Sequence, residues 1–176
     1  MLRQRIIALI QIAFVVLICA LAYAYGPALA PRPEASDVAA RLALGVEWLI
    51  VPGVMLLACI MLTAGSRFLS ADAFDGTRTP ASRFMEINLR VTQNTLEQCL
   101  LAMIAWFGLA LALPAEQLGV IPVLAALFAL GRILYWTGYQ LHPLARAVGF
   151  GVTALPTAVA LLWLAGRAVG LYFTTP

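Results

Sequence analysis

Five apolar stretches dominate the chain, near residues 5–24, 42–64, 90–113, 118–139 and 144–172, and short polar segments rich in proline or charge separate most of them. Each is long enough, at roughly 20 residues for a hydrocarbon core of about 30 Å, to be read as a helix across a bilayer. The stretch PALAPRPEASD between the first two reads as a short external loop. A longer one, SRFLSADAFDGTRTPASRFMEINLR, separates the second and third and carries most of the charge. In it Asp75-Gly76 marks a turn, and Thr79 before Pro80 is a helix start, with threonine as N-cap and proline at the first helical position. A helix over 80–114 would be about 50 Å long at 1.5 Å per residue, so its first turns must stand outside the hydrocarbon.

The polar positions inside the apolar stretches are few and periodic. Arg90, Asn94 and Glu97 fall at i, i+4 and i+7, one stripe of the third helix, and Arg132, Tyr135 and Tyr139 fall at i, i+3 and i+7 near the end of the fourth. The fifth opens with PLARAVGF and contributes Arg146. An antiparallel course brings these three helix ends to one membrane depth.

Composition places the chain firmly in lipid. Of its 176 residues 63% are hydrophobic and 11% charged, and the mean hydropathy is +0.95, too apolar for a soluble domain. All basic residues are arginine, and a net charge of +3 with no basic stripe argues against nucleic acid as a partner. Cys19, Cys59 and Cys99 lie in separate apolar stretches with no CxxC spacing, and His142 has no second histidine beside it, so the cysteines read as reduced structural residues and no metal site is expected. His142, next to Pro143 in a short turn, reads as a solvated loop residue.

Arginine counts near the span ends set the orientation. With the N-terminus inside, the cytoplasmic side receives Arg3, Arg5, Arg67, Arg78, Arg83, Arg90, Arg132 and Arg146, against Arg32, Arg41 and Arg167 outside. The expected location is a bacterial inner membrane with the C-terminus external. The first stretch has a rival reading as a secretory signal, since a short basic start, an apolar run and GPALAP resemble one, but it is retained here as a helix.

An ionisable side chain within a membrane helix costs a few kcal/mol unless it faces protein or water and finds a partner. Arg90 and Glu97 are about 10 Å apart along the axis and cannot pair as i,i+4 neighbours, so each is expected to need another helix, another subunit or a ligand. A purely internal network, with Glu97 paired to Arg132 across two helices and Asn94 capping the pair, is the plain alternative. Tyr135 and Tyr139 are equally consistent with an interfacial aromatic belt.

The span-three pattern of Glu86, Arg90, Asn94 and Glu97, followed by GRILYWTGYQLHPLAR, resembles the two signature regions of the MAPEG superfamily, membrane-associated proteins in eicosanoid and glutathione metabolism. The resemblance runs from about Leu42 to Trp163. It implies an all-α membrane fold, a four-helix bundle at 42–176 with an additional N-terminal membrane helix and external loop at 1–41, assembled as a homotrimer. It also implies glutathione, as cosubstrate, bound between subunits near the cytoplasmic end. Carried over position by position, Arg90, Asn94, Glu97, Arg132, Tyr135 and Tyr139 would hold the tripeptide, Arg67 would reach in from a neighbouring subunit, and Arg146 would stabilise the thiolate. Four departures stand out: the first helix is one more than the family pattern requires, Gln98 occupies a position where leukotriene C4 synthase has tyrosine, Thr92 replaces a polar residue that reaches the neighbour's ligand, and Arg67 stands alone at the end of the second span where several members have a basic pair.

The residue types suit such a ligand on chemical grounds. Glutathione carries two carboxylates and one ammonium, which call for cationic forks and a carboxylate, and Arg90, Arg132 and Arg146 surround Glu97. A thiol with pKa near 8.5 is mostly protonated at neutral pH, and an adjacent guanidinium favours the nucleophilic thiolate. A lipophilic electrophile could then arrive from the bilayer. The expected function is a glutathione-dependent transferase or peroxidase, with a noncatalytic lipid-binding or scaffold protein of the same fold as the alternative and a transporter component as a third. No GxxxxGK[ST], HExxH or nucleophile elbow occurs, which leaves nucleotide hydrolysis, metalloproteolysis and serine esterase chemistry without support. The glycines of GFGVTALP and AGRAVG in the fifth helix read as close-packing positions.

Overall fold

In lipid a chain must satisfy its backbone hydrogen bonds internally, so long apolar stretches become helices. The computed structural model, which describes residues 2–29, 37–68, 82–141 and 145–174, has five of them: α1 (Leu2–Leu29), α2 (Val38–Phe68), α3 (Arg83–Ala112), α4 (Val120–Leu141) and α5 (Arg146–Thr174). A 3-10 turn at Ala115–Gln117 joins α3 to α4, and no strand occurs among the described residues. All five helices are long and apolar enough to cross a membrane. The protein is an all-α integral membrane protein.

The helices overrun the expected spans by up to a few turns, because their polar ends carry their own caps. Asp37 Oδ1 accepts from the Ala40 backbone N–H at 2.7 Å and opens α2. Ser82 Oγ accepts from Met85 N–H at 3.2 Å and makes Ser82 the N-cap of α3. The start expected at Thr79-Pro80 lies outside the described residues, as does His142, and the observed helix is 30 residues, about 45 Å long. At the other end of α3, Arg41 Nη1 donates to the carbonyls of Ala110 at 3.1 Å and Leu113 at 2.6 Å. Those carbonyls lie in the last turn, where no intrahelical donor remains.

Helix α4 is the axle of the bundle. Two-thirds of its membrane window is buried, 67%, against 11% for α1 and for α2, whose outer faces are left to lipid or to another molecule. Lipid is as apolar as leucine, so close backbone approach does much of the work of holding membrane helices together. The seam between α4 and α5 shows how. A Cβ on Gly149 would meet the backbone of Leu134 and Tyr135, one on Gly138 the backbone of Ala145 and Arg146, and one on Gly131 the Thr153 side chain. Gly149 and Gly151 are thus close-packing positions as expected, Gly151 lying under Val15 of α1. Gly166 and Gly170 differ: a Cβ there would meet nothing within 4 Å, because α5 runs on past the end of the bundle.

The remaining core lies between α2, α3 and α4, with Trp106 set edge-on to Phe128 at 6.3 Å. The additional helix α1 has a definite seat. Val15 and Cys19 pack on Val123 and Leu127 of α4 and Val152 of α5, and Gly26 lies against Val123. The cysteines are free thiols, as their spacing implied.

Candidate functional site

The polar layer is built from the start of α3, the end of α4 and the start of α5, and Arg132 is its centre. Its side chain is 1% exposed, among the most buried in the protein. Nε donates to Thr153 Oγ1 of α5 at 3.2 Å and Nη1 to Asn94 Oδ1 of α3 at 2.8 Å. The guanidinium lies 4.8 Å from the Tyr135 ring centroid and 5.8 Å from that of Phe128, within cation–π range. Among the described residues no carboxylate pairs with it, and Nη2 has no hydrogen-bond partner. An unpaired cation in a dry interior is costly, and what it has instead of an anion is two neutral acceptors and two ring faces.

Tyr139 is the second node. Its hydroxyl accepts a short hydrogen bond from Arg146 Nη1, and the Arg146 guanidinium also stands 4.5 Å from the ring centroid. Arg90 of α3 interacts with the same hydroxyl. Tyr135 stands edge-on to Tyr139, with centroids 5.5 Å apart. One phenol therefore gathers arginines from α3 and α5, and the neighbouring ring touches the third arginine.

Glu97 does not meet Arg132. The direct pair expected of a purely internal network is absent; Asn94 stands between, its Oδ1 taking the arginine and its Nδ2 donating to Glu97 Oε2 at 3.5 Å. Glu97 Oε1 accepts from Gln93 Nε2 at 3.1 Å. Arg90 likewise finds a partner on its own helix, Glu86 Oε1 at 2.6 Å, so the expectation that it needs a second helix, a subunit or a ligand for charge pairing is corrected. The reason is local: Glu86 and Gln93 sit one turn before Arg90 and Glu97, where i,i+4 side chains meet in water as readily as in protein.

Arg90, Gln93, Asn94 and Glu97 line an open groove of about 390 Å³ on the outer face of α3. Among the described residues no other helix contributes to its wall. The site is half inside the bundle, at Arg132 and Tyr135, and half on this open face, with Asn94 spanning the two. Arg67, at the end of α2, is exposed. Among the described residues no hydrogen bond or ion pair joins it to the polar layer within one chain.

Periodicity alone singles out none of Asn88, Trp136 or Thr153, yet each supports the layer. Asn88 is 2% exposed and accepts from Trp136 Nε1 at 2.8 Å, pinning α3 to α4 one turn outside Thr92. Thr153 follows Arg146 by seven residues and so shares its face of α5, but that spacing alone does not mark it. Gln98, at 5% exposure, points inward with its Oε1 unbonded.

Comparisons place the chain among known proteins. A family model described as the MAPEG family matches residues 38–166, which takes in α2 to α4 and most of α5. Bovine Transmembrane protein 79 is 29% identical over 165 residues, covering 90% of this chain and 40% of that protein. Mouse Transmembrane protein 79 is 30% identical over 81 residues, 46% of this chain and 21% of that protein. The chain spans less than half the length of these curated relatives. No solved structure matches.

Proposed function

Since the chain belongs to the MAPEG family, we propose that it is a glutathione-dependent membrane enzyme, a transferase or peroxidase of lipophilic electrophiles, with the tripeptide held at the polar layer. The observation that carries this reading is Arg132, a buried guanidinium with no carboxylate among the described residues and an unpartnered Nη2, joined through Asn94 to an open polar groove. A ligand carboxylate supplies the anion that the fold omits. Arg90 offers a second fork, Glu97 an acceptor for the ammonium, and Asn94, Tyr135 and Tyr139 fix the tripeptide between them.

Arg146 is the catalytic residue of this reading. Tyr139 holds its guanidinium in place, and the guanidinium lowers the cost of the thiolate once the thiol has given its proton to water. In conjugation the sulfur then bonds to the electrophilic carbon as the leaving group departs with its electron pair. Arrival of the lipophilic electrophile from the bilayer, with glutathione entering from the aqueous face, accounts for placing the chemistry in a membrane.

A groove walled by one helix binds weakly, and a second copy laid against α3 would enclose it. A homotrimer with Arg67 reaching into a neighbour's groove is the assembly proposed, with the polar layer and the N-terminus at the cytoplasmic face and the C-terminus outside. The mammalian source of both relatives lends the bacterial inner membrane no support.

Calorimetry of glutathione with the purified protein tests the reading. Binding that is lost in Arg132→Gln and weakened in Glu97→Gln, with Arg146→Ala binding normally but failing to conjugate glutathione to a chloronitrobenzene, supports it. No binding by the parent protein would refute it. One observation favours the scaffold reading: Arg146 is already engaged by Tyr139 through both its charge and its plane. Glutathione binding without turnover by the parent would select that reading.

A further inference from the structure

A second cavity lies at the opposite end of the bundle. It measures about 430 Å³, inside the roughly 300–1,000 Å³ range of small-molecule sites. Leu109 closes it from the end of α3, Val120 from the start of α4, Val159 and Trp163 from α5, and Tyr23 from α1, with Glu116 of the 3-10 turn also on its wall. Val120 precedes Arg132 by twelve residues on α4, about 18 Å along the axis, so the cavity is separate from the polar layer. One of its walls belongs to α1, the helix outside the family match.

Its chemistry is divided. The interior is apolar, which excludes a wholly charged ligand and suits hydrocarbon. At the same end are two charges of opposite sign: Glu116 lines the cavity, and Arg167 lies with its guanidinium 5.9 Å from the ring centroid of Trp163, which also lines it. Neither has an ion-pair partner among the described residues. Tyr23 and Trp163 are the amphipathic rings found where acyl chains give way to headgroups.

We infer that this cavity is a binding site for a zwitterionic phospholipid, with an acyl chain between α1 and the ends of α3 to α5 and the headgroup held by Glu116 and Arg167. The guanidinium takes the phosphate, for which its fork is suited, and the carboxylate takes the ammonium. An anionic headgroup without an ammonium would satisfy Arg167 and leave Glu116 opposed by like charge. The site therefore selects by headgroup, which the surrounding annulus of lipid does not require.

Native mass spectrometry of the delipidated full chain, offered equal amounts of dioleoyl phosphatidylcholine and dioleoyl phosphatidylglycerol, tests this. The parent should retain one phosphatidylcholine in preference. Val159→Phe fills the cavity from a lipid-exposed position and should lose most of that adduct, while Val54→Phe, exposed on α2, should keep it. Glu116→Gln should erase the preference, and Arg167→Gln should weaken both phospholipids about tenfold relative to dioleoylglycerol, the order of one charge-assisted hydrogen bond. Glutathione calorimetry should be unchanged in all four variants. Equal retention of the two lipids by the parent, or full retention by a Val159→Phe protein whose circular dichroism is native, overturns the inference. Should Val159→Phe misfold, an undiminished preference in Glu116→Gln overturns it alone.

Discussion

The inner and outer halves of the polar layer use the same residue types and differ in what those residues are worth. Inside, Arg132 is sealed from solvent and held by Asn94 and Thr153 from two other helices. Outside, Arg90 pairs with Glu86 and Glu97 with Gln93, each on its own helix and each exposed. A dry guanidinium exchanges hydration for whatever the fold provides, so each partner matters; an exposed pair exchanges one set of water contacts for another and matters little to stability. The inner half should therefore govern folding as well as binding, and the outer half binding alone.

The glycine seam beneath the inner half should show the largest effect. Gly149→Leu forces a side chain into the α4 backbone, where nothing flexible can yield, and should cost about 3 kcal/mol or more, read as loss of folded protein in a detergent thermal melt. Next is Asn94→Leu, which takes one of two hydrogen-bonding partners from a buried cation and should cost about 2–3 kcal/mol. The comparison sharpens if Arg132→Met is added to it: with both polar groups gone, most of that loss should return, while glutathione binding should not. An Asn94→Leu protein as stable as the parent would break the distinction between the two halves.

Smaller effects follow away from the seam. Arg41→Met leaves two carbonyls at the end of α3 without a donor and should cost about 1–2 kcal/mol in the same melt. Glu86→Gln should leave the melt unchanged, because the pair it breaks is exposed. It should also tighten glutathione binding by releasing Arg90 for a ligand carboxylate. A destabilised Glu86→Gln protein would place the outer pair on the same footing as the inner one.

The two periodic stripes were readable as single helix faces, and so was the gathering of Arg90, Arg132 and Arg146 at one end. Their partners were not. Glu97 and Arg132 are the obvious pair by charge, but Asn94 sits on the intervening turn and reaches the guanidinium first. Arg90 was readable as lacking a mate only when Glu86, four residues before it, was left out of account. Thr153 and Asn88 carry no charge to mark them, and their importance comes from where the neighbouring helix lies.

The sequence by itself determined five membrane helices and the faces on which their few polar residues fall, because hydropathy and a period of 3.6 residues act within one segment. Tertiary structure alone decided that α4 is central, that α1 seats on α4 and α5, and that Asn94, not Glu97, meets Arg132. Those outcomes depend on which glycines let two backbones touch and on what then stands opposite each side chain, and neither is encoded in the spacing along any single helix.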